Sequence, residues 1–164
     1  MFKVGIITSS DSCSKGEKED LSGKLISKML NSDEFKVVGY TVLPDEIDLL
    51  ANEMKYLADE MKVDLILTTG GTGFSNRDVT PEATISICDK MANGICEAIR
   101  QNSMQYTKRA MLSRAVSGIR KNTLIINLPG SPKAVEQSLS FIVDTLIHGL
   151  EILTSKTKDC AKKD

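Results

Sequence analysis

Apolar positions along this 164-residue chain follow two alternating rhythms. Short runs rich in β-branched residues, Phe2–Thr8, Lys36–Leu43 and Val63–Thr68, read as strands. The first is continuously apolar, without polar alternation, which predicts burial on both faces. Between the runs, apolar side chains recur at helical spacing: Leu21, Leu25, Ile26, Met29 and Leu30, then Ile47, Leu50, Met54, Leu57 and Met61. Further helices are predicted over Pro81–Met91 and Ile95–Tyr106. Arg114–Arg120 and Thr123–Leu128 read as two strands turning at Lys121-Asn122, a hairpin signal. Ser131-Pro132 then opens a last helix that runs to about Leu153, with Ser as its N-cap and Pro at its first position.

The order β-α-β-α-β-α-α-β-β-α predicts an α/β fold of three layers: a mostly parallel sheet flanked by helices, with a short β-hairpin. Neither a repeat nor a linker interrupts the pattern. Residues 1–154 therefore read as one domain, and 155–164 as a basic, solvated tail carrying Lys156, Lys158, Lys162 and Lys163. The Met29, Met54 and Met61 stripe reads as core.

Ligands of such folds bind at the carboxyl ends of the strands. Four polar loops are expected there: Ser9-Ser10-Asp11, Pro44-Asp45-Glu46, Gly70 through Asp78, and Pro129-Gly130-Ser131. The third is the most informative. It leaves a strand through Gly70, Gly71, Thr72 and Gly73, presents Arg77 and Asp78, and enters a helix at Thr80-Pro81. Glycines that bare their N–H groups beside a helix N-terminus can seat a phosphate. An acidic side chain in such a seat makes sense if it holds a divalent cation that the phosphates share. The turn is not a P-loop, because no Gly-Lys-Ser/Thr follows, and Asn76 breaks the dinucleotide fingerprint. The plainer reading of the glycines is a tight strand-to-helix connection. Asp45 can equally be a turn or N-cap residue, as can Asp11 and Asp20 before their helical segments. Ser113 and Arg114 carry no local signal, and Asn127 can be a strand residue that meets a neighbouring loop. The local pattern leaves these readings open.

Charge narrows the choice of partner. With 21 basic and 22 acidic side chains, the net charge of −1 gives no general attraction to nucleic acid. No apolar run reaches the length of a membrane span and no signal peptide is apparent, so a cytoplasmic protein is expected. Four cysteines without a C-x-x-C pair, and His148 remote from them, argue against structural zinc and against a disulfide framework; three cysteines are expected to be buried, the fourth lying in the tail. A Ser-His-Asp set is not discernible.

The stretch Thr-Thr-Gly-Gly-Thr-Gly-Phe-Ser-Asn-Arg-Asp-Val-Thr-Pro-Glu-Ala-Thr at 68–84 resembles the signature of the molybdenum-cofactor biosynthesis MogA/MoaB family, which includes molybdopterin adenylyltransferases and gephyrin-type G domains. Ser10-Asp11, Gly16, Asp20 and Ser22-Gly23 agree with its first loop, and Leu43-Pro44-Asp45-Glu46 with its second acidic loop. Ala110 through Arg114, Gly118-Ile119-Arg120 and Asn127 through Pro132 agree with later segments, so the resemblance spans nearly all of residues 3–153. It implies transfer of AMP from Mg-ATP to the terminal phosphate of molybdopterin, with release of pyrophosphate. It also implies that Asp45 and Asp78 serve catalysis and hold Mg2+. Gly70, Gly71, Thr72 and Gly73 would seat nucleotide phosphates, Ser10, Asp20, Asn127 and Pro129 would lie around the adenosine, and Ser103 and Ser113 on the pterin side. Arg77, Arg114 and Arg120 are added here as candidate anion contacts. The resemblance further implies a homo-oligomer, a trimer or, for MoaB-type members, a hexamer. The alternative it leaves is a non-catalytic, pterin-binding or scaffold module.

Overall fold

A computed structural model of the chain describes residues 1–155. Strand β1 (Phe2–Ser9) is followed by a short helical turn, α1 (Asp11–Ser14), and by α2 (Leu21–Met29). Then come β2 (Phe35–Leu43), α3 (Ile47–Lys55) with a wide π turn at Tyr56–Glu60, and β3 (Leu65–Thr69). The second half holds α4 (Thr80–Ile87), β4 (Lys90–Met91), α5 (Gly94–Ser103), a 3-10 turn at Lys108–Leu112, β5 (Ser117–Arg120), β6 (Thr123–Leu128) and α6 (Pro132–Leu153). The basic tail expected at 155–164 lies, beyond Ser155, outside the described residues.

Six strands form one sheet in the order β2-β1-β3-β6-β5-β4. β2, β1, β3 and β6 run parallel, while β5 pairs antiparallel with β6 and β4 with β5. β3 and β6 are buried along their whole length, as is β1 apart from Lys3. Their side chains alternate between two cores. Ile6, Leu65, Leu67, Leu124 and Ile126 pack with Ile26, Ile99, Leu139 and Leu146 of α2, α5 and α6. Ile7, Ile66 and Ile125 pack with Leu50, Met54, Ala83 and Ile87 of α3 and α4. Full burial of each Leu or Ile contributes about 1.5–3 kcal/mol, so these two apolar faces set the three layers predicted from the sequence.

After β1 the chain moves outward to β2, then returns past β1 to β3. This reversal leaves the loops after β1 and β3 diverging around a crevice, the usual ligand position in open α/β sheets.

Three details differ from expectation. The polar loop after β1 contains a helical turn, with the Ser10 hydroxyl accepting from the Cys13 N–H at 3.2 Å. The helix expected through Met91 ends at Ile87, because Cys88 is extended and the next N–H groups turn to β5: Asp89 donates to Ile119 and Ala92 to Ser117, both at 2.8 Å. β5 begins only at Ser117, since the Arg114 N–H donates to Thr72 rather than to a strand. Among the described residues no helix is long and apolar enough to cross a membrane.

Candidate active site

The glycine turn begins where β3 ends. Gly70 and Gly71 have φ of 91° and 68°, the left-handed region that side chains disfavour. Space is equally restrictive, since a Cβ on Gly70 would lie 2.4 Å from the Ser9 carbonyl oxygen. The turn is closed from the next helix: the Thr80 hydroxyl donates to Gly70 O at 2.9 Å, and the Thr80 N–H to Gly71 O at 3.1 Å. The neighbouring loops are tied in as well. Thr69 donates to Pro129 O at 2.6 Å and Ser22 to Gly130 O at 2.7 Å.

Asp45 and Asp78 stand at opposite ends of this turn. A Cβ on Gly71 would be 3.3 Å from Asp45 Oδ1, and one on Gly73 would be 2.9 Å from Asp78 Oδ2. Asp45 does not cap α3, whose N-cap is Glu46. Its carboxylate instead accepts from the Ser9 hydroxyl at 2.6 Å and from the Asp11 N–H at 3.0 Å. Asp78 accepts from the Ser75 N–H at 3.0 Å, within its own loop. Carboxylates far apart in sequence are thus brought to one short turn by the strand order.

Asp11, which local pattern reads as a cap or turn, joins this cluster. Its Oδ1 accepts from the Asp45 N–H at 3.0 Å, and Arg77 grips both its oxygens at 3.0 and 2.9 Å. The Arg77 guanidinium, helped by the Asp45 N–H, holds the Asp11 carboxyl down at about 2, so it is ionised at neutral pH. Its position in a loop at a strand's carboxyl end was the available signal. Asp20 does act as a cap, accepting from the Gly23 N–H at 2.9 Å. It also accepts from Thr8 at 2.6 Å and from the Tyr40 hydroxyl. Burial and the bond to Asp20 push the Tyr40 phenol above its ordinary range.

The three arginines singled out as anion contacts are bound to protein groups. Arg77 also donates to Glu46 at 2.9 Å. Arg114 braces the turn, donating to Gly73 O at 2.7 Å and Asp78 O at 2.8 Å, with a further contact to Glu82. Arg120 corrects the expectation outright. It lies at the opposite edge of the sheet, paired with Thr123 at the start of β6, and forms a fork with Asp59 at 3.1 and 2.6 Å. An antiparallel strand ends where its parallel neighbours begin, so the last residue of β5 faces away from the site.

Two cavities flank the glycine turn. One, of about 270 Å³, lies between the turn and α5, with Thr72, Gly73, Ser103, Ser113, Asn127 and Pro129 in its lining. The other, of about 250 Å³, is lined by Ser10, Asp20, Gly70 and Gly130 among others. The structure thus groups Asn127 and Pro129 with the two serines, rather than with Ser10 and Asp20. Asn127 is fully buried and committed to the fold. Its amide donates to Thr68 and Thr84 at 3.0 and 2.9 Å, and its oxygen accepts from the Val116 N–H at 3.2 Å. Asn127→Ala should therefore destabilise the protein by about 2–4 kcal/mol, because buried polar groups lose their partners. Urea titration checks this, and a loss within error of zero would refute it.

Of the described cysteines only Cys96 is fully buried; Cys13 and Cys88 are partly buried, correcting the expectation of three buried thiols. Cys13 falls on the short α1 turn, which buries no residue, and Cys88 on the extended link after α4, where it packs only partly against the core beneath α3 and α4. Burial pushes the Cys88 thiol up to about 11 and raises Cys96 as well, so neither is a ready nucleophile. His148 is exposed near the end of α6, 3.9 Å from Glu151. The site is therefore an oxygen-rich one without a histidine base. Among the described residues no group of three or more His, Cys, Asp or Glu could hold a metal by itself.

Residues 5–148 match a family model described as "probable molybdopterin binding domain". The molybdopterin adenylyltransferase of Helicobacter pylori (strain J99) is 41% identical over 155 residues, covering 92% of this chain and 86% of that protein. The enzyme of that name from Escherichia coli K12 is 37% identical over 156 residues, covering 91% and 80%. Among solved structures, the molybdopterin biosynthesis enzyme MoaB of Thermus thermophilus superposes with a TM-score of 0.90 at 42% identity, covering 97% of this chain and all of that one.

Proposed function

Since the chain belongs to the molybdopterin binding domain family, we propose that it is a molybdopterin adenylyltransferase, which moves AMP from ATP to the terminal phosphate of molybdopterin and releases pyrophosphate. The observation that carries this reading is the glycine turn set between two cavities, with a carboxylate at each end. The cavity beside α5, with Ser103, Ser113 and Pro129, takes the pterin. The cavity holding Ser10 and Asp20 takes the adenosine. The N–H groups around Gly70, Gly71, Thr72 and Gly73 lie between them, where ATP phosphates would sit.

In the transfer, a terminal phosphate oxygen of the pterin attacks the α-phosphorus of ATP. The bond from that phosphorus to the bridging oxygen breaks, and pyrophosphate leaves with its electrons. A phosphate monoester has a second pKa near 6, so its oxygen is already deprotonated at neutral pH. No side-chain base is needed, in keeping with a site that lacks histidine. The work left to the protein is positioning and charge stabilisation. Arg114 and Thr80 keep the turn open to the anion by taking its carbonyl oxygens. Asp45 and Asp78 present hard oxygen donors that suit a divalent cation, Mg2+ in this proposal, with phosphates and water completing its shell. When bound, that ion offsets charge on the attacking and leaving phosphates.

The test supplies molybdopterin and ATP labelled at the α-phosphate. Label should appear on the pterin, and EDTA should lower the rate by about 10²-fold or more, with recovery on adding Mg2+. Molybdopterin binding without any transfer of label would instead favour the non-catalytic pterin-binding module. A homotrimer working in the cytoplasm is part of the same proposal, and sedimentation at micromolar concentration tests the assembly.

A further inference from the structure

Arg77 touches two loops from a third. Its Nε and Nη2 donate to Asp11 at 3.0 and 2.9 Å, and Nη2 donates to Glu46 at 2.9 Å. Asp11 and Asp45 are in turn joined reciprocally, each backbone N–H donating to the other's carboxylate at 3.0 Å. The guanidinium thus reaches Asp45 through Asp11. It also belongs to the loop that carries Asp78, the next residue in sequence.

We propose that Arg77 is a positioning residue, which acts through Asp11 to hold Asp45 and the turn bearing Asp78 in the relative geometry that AMP transfer requires. This rests on the adenylyltransferase reading above. Two physical points support it. The Arg77 side chain is 53% exposed, with its partners Asp11 at 33% and Glu46 at 52%, so water screens much of the Coulomb attraction these pairs could lend the fold. A planar fork, by contrast, fixes the orientation of the carboxylate it grips, which a point charge does not. Its value to the molecule therefore lies in orientation. The donors at Nε and Nη2 face carboxylates rather than the glycine turn, which separates this role from direct capture of phosphate.

The test compares wild type with Arg77→Lys, Arg77→Gln, Asp11→Asn and the double variant Arg77→Gln/Asp11→Asn. Each single change should lower kcat roughly 10- to 100-fold, as expected for a misplaced catalytic group, while the KM for ATP moves less than about 3-fold. Thermal midpoints should stay within a few degrees of wild type, and Lys should not rescue. The double variant should be no worse than the poorer single, because both act along one chain of contacts. Multiplicative losses, a raised KM with intact kcat, or full rescue by Lys would overturn the proposal, as would activity falling in step with stability. A wild-type chain that transfers no AMP defeats the adenylyltransferase reading separately. Mn2+ affinity, followed by electron paramagnetic resonance, then decides the positioning claim: it should fall several-fold in all four variants, and equal affinities refute it.

Discussion

Asp45→Asn and Asp78→Asn should each reduce AMP transfer by about 10³-fold at saturating ATP. Both changes are isosteric, so they remove charge with little change of shape. A carboxamide at position 45 could still accept from the Ser9 hydroxyl through its oxygen, whereas its NH2 would oppose the Asp11 N–H that now donates at 3.0 Å. Asp78 makes its hydrogen bond within a surface loop, so its replacement should cost the fold less still. Thermal midpoints within a few degrees of wild type are therefore expected for both, along with nearly unchanged pterin affinity by calorimetry. The loss belongs to the chemical step, where an amide cannot supply the anionic oxygen that a hard cation needs. If either variant kept more than a tenth of the wild-type rate, that carboxylate would not be the essential cation ligand of the reaction.

Gly70→Ala should be the most damaging single change to the fold near the site. The backbone there has φ of 91°, and a methyl group would lie 2.4 Å from the carbonyl oxygen of Ser9. Ser9 ends a strand paired on one side with β2 and on the other with β3, so it cannot simply step aside. Left-handed strain costs a non-glycine residue about 1–2 kcal/mol, and overpacking about 1–3 more. The sum, about 2–5 kcal/mol, should lower the melting temperature of a chain this size by roughly 10 °C. Gly94→Ala is the matched control, because a Cβ there meets nothing within 4 Å and the position opens α5. Differential scanning calorimetry of the pair decides the matter. Similar melting temperatures would mean that the turn gives way more easily than its contacts imply.

Much of this architecture was legible before the tertiary structure. β1, β3 and β6 stand out as apolar runs because the sheet is covered on both faces, and the helices because their 3.6-residue stripe must face it. Ser131 caps α6 as its position before Pro132 implied, accepting from the Ala134 N–H at 3.3 Å. The switch from helix to strand after Ile87 was not legible. Lys90 and Met91 become a strand only because Ile119 and Gly118 offer them a partner. The aspartates show the same limit. Asp11 and Asp20 look alike locally, yet one caps α2 while the other links Asp45 to Arg77. The long arginine side chains were harder still. Arg77 and Arg120 find carboxylates 66 and 61 positions away, at opposite edges of the sheet.

By itself the sequence determined the layered α/β fold, the glycine turn, and the family to which the chain belongs, because each rests on short-range pattern: apolar period, left-handed glycines, a contiguous signature. Only the tertiary structure decided which charges meet at that turn. Strand order brings Asp45, Asp78, Asp11 and Arg77 to one edge and sends Arg120 to the other. Such pairings depend on distance through space, and local pattern carries no record of it.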